Sequence, residues 1–170
     1  NVTIESPSKA AQLGIGMVHQ HFMLVDAFTV TENIILGSES TNAAGMIDLK
    51  NAMAEITALS KKYGLDVDPT AKVADISVGA QQRVEIIKTL YRGADLLIFD
   101  EPTAVLTSDE ITELLKIMKV LVSEGKSIIL ITHKLKEVME ISDAITVLKN
   151  GHVTGNVLPS EVNEQILANM

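Results

Sequence analysis

The chain has 170 residues, 46% of them apolar and only 3% aromatic, which suits one globular α/β unit with a core of Ile, Leu, Val and Met. Its net charge of −8 argues against a nucleic-acid backbone as partner, since that binding needs clustered Lys and Arg, and leaves room for a single nucleotide, which needs only local positive charge. The absence of cysteine excludes a disulfide scaffold and a thiolate metal site and fits a reducing cytoplasm, and no run of about eighteen apolar residues is present to span a bilayer.

The chain opens on Asn1-Val2-Thr3-Ile4, without an initiating Met or an apolar leader, and is expected to be a piece of something longer. Ser6-Pro7 predicts a capped helix running to Leu13 and stopped by Gly14, followed by a strand from Ile15 to Gln20. Phe22 to Gly37 reads as an irregular segment with a helical part near Thr31 to Leu36, and Ser38 to Ala44 as a polar turn. Asp48 caps a helix reaching Tyr63, with Gly64 at its end. After a loop from Asp66 to Asp75, apolar residues spaced by three and four predict a helix from Ser77 to Tyr91.

Asp95 to Asp100 is a continuous apolar run, the pattern of a central parallel strand covered on both faces. Thr107 and Glu110 form a capping box for a helix closed by Gly125. Its inner face is expected to hold Ile111, Leu114, Leu115, Met118, Leu121 and Val122. A second buried strand follows over Ser127 to Thr132, then a short helix over Leu135 to Ile141 and a strand over Ala144 to Leu148. Asn150-Gly151 predicts a hairpin to His152–Val157, and Ser160 caps a last helix through Ala168. The predicted architecture is α/β: a partial parallel-sheet core over residues 1–21 and 95–170, with a helical subdomain over 22–94.

Three strands are predicted to end in polar chemistry: Gln20 on the first, Asp100-Glu101 on the apolar run, and His133 on the strand after it. In an open α/β sheet, ligands bind where strands end. Asp100 is suited to hold Mg²⁺ through water, Glu101 to direct a water at a γ-phosphate, His133 to bond a phosphate oxygen, and Gln20 to reach the metal or the attacking water. Taken singly, the two acids read equally as exposed residues of a strand-to-loop corner, His133 reads more readily as an ordinary strand-end residue, and Gln20 carries almost no signal; it is the three strand ends together that point to a site. Ser77, Val78 and Gly79 start a helix, where unpaired N–H groups and the dipole favour an anion, although a plain helix cap needs the same residues.

Together the order Gln20, Ser77-Val78-Gly79-Ala80-Gln81-Gln82-Arg83, Phe99-Asp100-Glu101-Pro102-Thr103, Ala104-Val105-Leu106-Thr107 and Thr132-His133 resembles the ATP-binding-cassette (ABC) ATPases. These would be its Q-loop, signature, Walker B, D-loop and switch histidine. The Ser-Val-Gly signature and the Glu-Pro-Thr-Ala-Val-Leu-Thr run are similar to those of bacterial sugar and nucleoside importers. The resemblance implies a partial P-loop-NTPase-like sheet core that lacks the Walker A strand and helix, and ATP and Mg²⁺ as cofactors, with Asp100 and Gln20 at the metal and Glu101, His133 and Gln20 in catalysis. It also implies Ser77, Val78 and Gly79 acting on ATP held by a second cassette in a head-to-tail pair. Membrane permease subunits, a place at the cytoplasmic face of the membrane, and no nucleic acid complete the expected setting. Val78 replaces the usual first Gly of the signature and Ala80 the Gln that usually ends it. Non-transport ABC ATPases, and a nucleotide-free half-module, are the alternative readings.

No Gly-x-x-x-x-Gly-Lys-Ser/Thr occurs in the chain. Gly125-Lys126-Ser127 imitates its end but runs from helix to strand, the reverse of a phosphate loop. Without about four charge-assisted phosphate hydrogen bonds of roughly 1.5 kcal/mol each, ATP affinity would fall by about four orders of magnitude, so the chain alone is expected neither to bind ATP nor to hydrolyse it. It is also expected to expose apolar sheet surface and to associate with itself. His19 and His21 form a His-x-His pair without an evident third zinc ligand. Phe22, Met23, Leu24 and Phe28 follow the Q-loop, where the family meets its membrane subunit, although core packing explains them as well.

Overall fold

A computed structural model describes residues 2–42 and 45–170. The chain forms two compact units that divide after Ile129.

In the first unit, Ser6 Oγ accepts from Lys9 N–H at 3.2 Å and Pro7 occupies the first turn, which starts α1 (Pro7–Gln12). Gly14, at φ +73°, makes the left-handed turn into β1 (Ile15–Val18) that a side chain would resist. β1 pairs in parallel with β2 (Leu96–Asp100), Ile15 beside Leu96 and Val18 beside Phe99. β3 (Ser127–Ile131) completes a sheet of order β1-β2-β3, and Ser127 N–H donates to Asp95 C=O at 2.9 Å. β1 ends two residues before Gln20, so the strand is shorter than its sequence predicts: ladder pairing stops at Val18, its last buried residue.

Between β1 and β2 lies a largely helical stretch. α2 (Val30–Ile35) is opened by Thr29, whose backbone N–H donates to Glu32 Oε2 at 2.7 Å while its hydroxyl accepts from Glu32 N–H. α3 (Leu49–Tyr63) starts at the Asp48 cap and ends at Gly64, φ +67°. α4 (Val78–Tyr91) is capped by Ser77 Oγ, which accepts from Ala80 N–H at 3.2 Å. Val30, Ile34, Ile56, Leu65, Val73, Val84, Ile86 and Ile87 are completely buried and form the shared core of these helices. The polar turn predicted over Ser38 to Ala44 extends into residues 43–44, which lie outside the described residues.

α4 also meets the sheet. Gly16 sits where a Cβ would run into Thr89 Cγ2 and stand 2.9 Å from Ala94 Cβ, so the missing side chain sets the helix-to-strand spacing. Gly16 and Val18 share a face with Leu97 and Phe99, and the last three are completely buried. The opposite face is less covered: Leu96 and Ile98 are half-buried and Met17 is 37% exposed. β3, expected to be buried, leaves Ile129 and Ile131 each 48% exposed. A continuous apolar run states what a strand could bury, not how many layers cover it.

α5 (Ser108–Ser123) has the predicted box, with Thr107 N–H donating to Glu110 Oε2 at 2.9 Å. It buries Leu114, Leu115, Ile117, Met118 and Leu121. Ile117 takes a place in the core while Val122 is 46% exposed, a rotation of the face by a fraction of a turn from the one expected.

The second unit contains α6 (Leu135–Ile141), the hairpin of β4 (Ile145–Lys149) and β5 (His152–Val157), and α7 (Glu164–Asn169). Asn150 and Gly151 both have positive φ, 52° and 77°, as the two-residue turn requires. Among the described residues β4 pairs with β5 alone and does not join the parallel sheet. The last helix starts later than expected. Glu161 Oε2 accepts from Leu158 N–H at 2.9 Å and closes a single 3₁₀ turn, and Asn163 Oδ1 then caps α7 through Ile166 N–H. No described helix is long and apolar enough to cross a membrane.

Candidate functional site at the strand ends

The parallel register brings Gln20 and the two acids to one edge of the sheet. Val18 is the last paired residue, level with Phe99, so β1 and β2 end side by side, with Asp100 one residue past the pairing on its strand and Gln20 two residues past it on the other. Gln20 is exposed, whereas Asp100 and Glu101 are half-buried. Glu101 has φ +47°, a left-handed conformation that costs a non-glycine residue about 1 kcal/mol. The strand thus turns sharply at the second carboxylate, and Pro102 and Thr103 are buried immediately after it. Ala104 N–H donates to Glu101 C=O at 3.2 Å and holds the turn.

Ser77, Val78 and Gly79 lie where the sequence puts them, at the first turn of α4, and Ser77 and Val78 are exposed. The N–H groups of that turn are partly used within the chain. Ala80 N–H is taken by Ser77 Oγ, and Gly79 N–H donates to the Glu110 carboxylate, which thereby caps two helices. A Cβ at position 79 would strike Glu110 Oε1, so the glycine makes room for this acid. Hydrogen bonds from Thr107, backbone first and hydroxyl second, hold the Glu110 carboxyl below the usual glutamate range, with Gly79 N–H and the Arg83 charge adding to them. Glu110 registers in the sequence only as a local cap, because its contact with Gly79 spans thirty-one residues.

Arg83 does not face an open anion site: Nε donates to Asp66 C=O at 2.9 Å and Nη1 to Glu113 at 3.2 Å. Gln82 is 2% exposed, and its Nε2 has no hydrogen-bond partner among the described residues. It lines a cavity of about 10 Å³ together with Gly79, Glu110 and Leu114, the size of one water.

His133 belongs to the second unit, is exposed, and follows β3 by two residues. His19 and His21 lie beyond the end of β1, outside a strand, and the described residues contain no group of three His, Cys, Asp or Glu placed to hold a metal. Lys126 is tied down at the start of β3, its Nζ donating to Ala94 C=O and Asp95 Oδ1 at 2.8 Å each, so it is a structural lysine. Gly125, φ +86°, ends α5 as a helix stop.

A parallel sheet with a carboxylate pair where β2 ends, and a helix opened by Ser-Val-Gly, define an α/β fold with ligand-binding chemistry at its strand ends. The ABC transporter family model matches residues 2–104, and the chain belongs to that family. Over 167 residues it is 65% identical to the nucleoside import ATP-binding protein NupA of Lactococcus lactis subsp. cremoris, covering 98% of this chain and 33% of that protein. It is 63% identical over 169 residues to the guanosine import ATP-binding protein NupO of Bacillus subtilis, covering 99% of this chain and 33% of that one. The solved structure of cbiO1 from Clostridium perfringens, part of the ABC transporter complex cbiONQ, superposes with a TM-score of 0.74 at 26% identity, covering 92% of this chain and 62% of the other. The chain spans about a third of the length of the curated relatives it matches.

Proposed function

We propose that the chain works within an ABC importer ATPase that hydrolyses Mg-ATP to power uptake of a nucleoside or sugar through separate membrane subunits. The observation that supports this reading is the parallel pairing of β1 with β2, whose ends lie side by side just before Gln20 and the Asp100-Glu101 pair, with Glu101 turned sharply off the strand. Asp100 offers a hard carboxylate oxygen at that edge. It is the kind of oxygen ligand Mg²⁺ takes when water and nucleotide complete its shell. When bound, Mg²⁺ supplies charge neutralisation at the β- and γ-phosphates.

Glu101 holds and orients the attacking water and accepts its proton, and Gln20 senses the nucleotide and reaches the metal or the water. His133 bonds a γ-phosphate oxygen. Ser77, Val78 and Gly79 act on ATP bound by a second cassette in a head-to-tail pair. Residues 22–94 form the helical subdomain on a core of 1–21 and 95–170. Met23 and Phe28, 65% and 38% exposed, turn apolar side chains outward to meet the permease at the cytoplasmic face of the membrane.

In a full-length ATPase that carries this chain, Glu101→Gln is expected to lower the hydrolysis rate at least about 100-fold, the lower range for loss of a general base, with ATP binding retained. Steady-state hydrolysis and nucleotide binding measured on the same preparation test this. A Glu101→Gln enzyme within about threefold of the wild-type rate overturns the assignment.

A further inference from the structure

Gln82 lies on the second turn of α4 and is 2% exposed, yet its Nε2 has no hydrogen-bond partner among the described residues. Its neighbour Gln81 spends its own amide on the backbone, Nε2 donating to Val73 C=O and Ile76 C=O at 3.4 Å each. A buried amide donor left unpaired is costly, so in folded proteins such groups find a partner in the protein or in ordered water. Gln82 lines a cavity of about 10 Å³ with Gly79 and Arg83 of α4 and Glu110, Glu113 and Leu114 of α5. That volume is the space of one water.

The polar groups around the cavity decide what it can hold. Arg83 is committed elsewhere, Nε to Asp66 C=O and Nη1 to Glu113. Glu110 Oε2 accepts from the N–H and the hydroxyl of Thr107, at 2.9 Å each. Glu110 Oε1 is the atom that a Cβ at Gly79 would strike, so it stands on the Gly79 side, where the cavity lies. A carboxylate oxygen has room for more than one donor. The occupant must therefore accept from Gln82 Nε2 and donate to Glu110. An anion is repelled by the two carboxylates, and a metal ion or an ammonium offers Gln82 Nε2 no acceptor. Water does both and fits the volume.

We propose that this cavity is a binding site for one buried water, which accepts from Gln82 Nε2 and donates to the Glu110 carboxylate. The site does not depend on the function proposed above. It makes the acid that holds Gly79 N–H part of a network of Gln82, water and Glu110, so α4 and α5 are joined by an exchangeable molecule as well as by their own side chains.

A crystal structure of a full-length ATPase that carries the chain, at a resolution that shows ordered water, tests the site. The expected result is one peak about 2.7–3.2 Å from both Gln82 Nε2 and a Glu110 carboxylate oxygen. In Gln82→Met, which keeps the length of the side chain and removes the donor, the peak should be lost while the backbones of α4 and α5 stay in place. An empty cavity, a Gln82 amide paired directly with protein, an ion in place of water, or a peak that persists in Gln82→Met each overturns the proposal. If that variant does not fold, the wild-type density decides alone.

Discussion

Gly16→Ala is the sharpest test of how α4 is seated on the sheet. The new methyl would enter space held by Thr89 Cγ2 and come within 2.9 Å of Ala94 Cβ. Thr89 cannot easily swing aside: its hydroxyl donates to Glu85 C=O at 2.8 Å, it is 7% exposed, and a β-branched side chain has little χ1 freedom in a helix. Overpacking of this kind costs about 1–3 kcal/mol, while replacing a strand glycine returns about 0.5–1 kcal/mol of backbone entropy. The net expectation is a loss of about 1–2 kcal/mol, or roughly 2–8 °C in Tm for a chain of this size. Urea unfolding followed by far-ultraviolet circular dichroism suits a protein with two tyrosines and no tryptophan. In a Thr89→Ser background, which removes the obstructing methyl and keeps the hydroxyl, the cost of Gly16→Ala should shrink by about 1 kcal/mol. A neutral Gly16→Ala, or an equal cost in both backgrounds, refutes the close approach as the reason for the glycine.

Two further outcomes are expected. At position 101, Gly should be more stable than Ala by about 1 kcal/mol, because only Gly adopts φ +47° freely, and thermal melts of the two variants would show it; equal stability removes the claim of backbone strain. Glu32 and Glu110 are both held below the usual glutamate range, in each case chiefly by a backbone N–H, that of Thr29 or Thr107. A carboxyl whose folded pKa is depressed contributes stability above its unfolded value of about 4.3 and loses it as the pH falls through that value toward the folded one. Urea midpoints taken between about pH 6 and 3 should therefore drop less steeply in Glu32→Gln/Glu110→Gln than in the wild type, and parallel curves would exclude the linkage.

What was legible in the sequence was local. Ser6, Asp48, Ser77 and Thr107 each announce a helix through a side chain three residues from its target, and Asn150-Gly151 announces the hairpin through its φ preference. The same Thr-x-x-Glu signal stands at Thr29 and Glu32, where an irregular run of apolar residues hid it. Strand identity was legible from apolar runs, but burial on one face or two was not, as Ile129 and Ile131 show. At the site, Asp100 and Glu101 stood out because carboxylates ending an apolar strand are a compositional break. Glu110 against Gly79 and Glu85 against Met23 were invisible, because partners thirty or sixty residues apart leave no periodicity. Asn163 claimed the last helix from Ser160 for a similar reason: two residues of equal capping propensity compete, and tertiary placement decides.

Asn33 has a consequence of its own. It is 1% exposed, its Oδ1 accepts from Val25 N–H at 2.7 Å, and its Nδ2 donates to Val25 C=O at 3.0 Å, so a side-chain amide stands in for a neighbouring strand. Met23 is held the same way, its N–H by Glu85 Oε1 at 2.7 Å and its C=O by Lys88 Nζ at 2.9 Å. The hold on this stretch at 23 and 25 therefore uses peptide groups, and exchanging the outward Met23 or Val25 side chain leaves those hydrogen bonds in place.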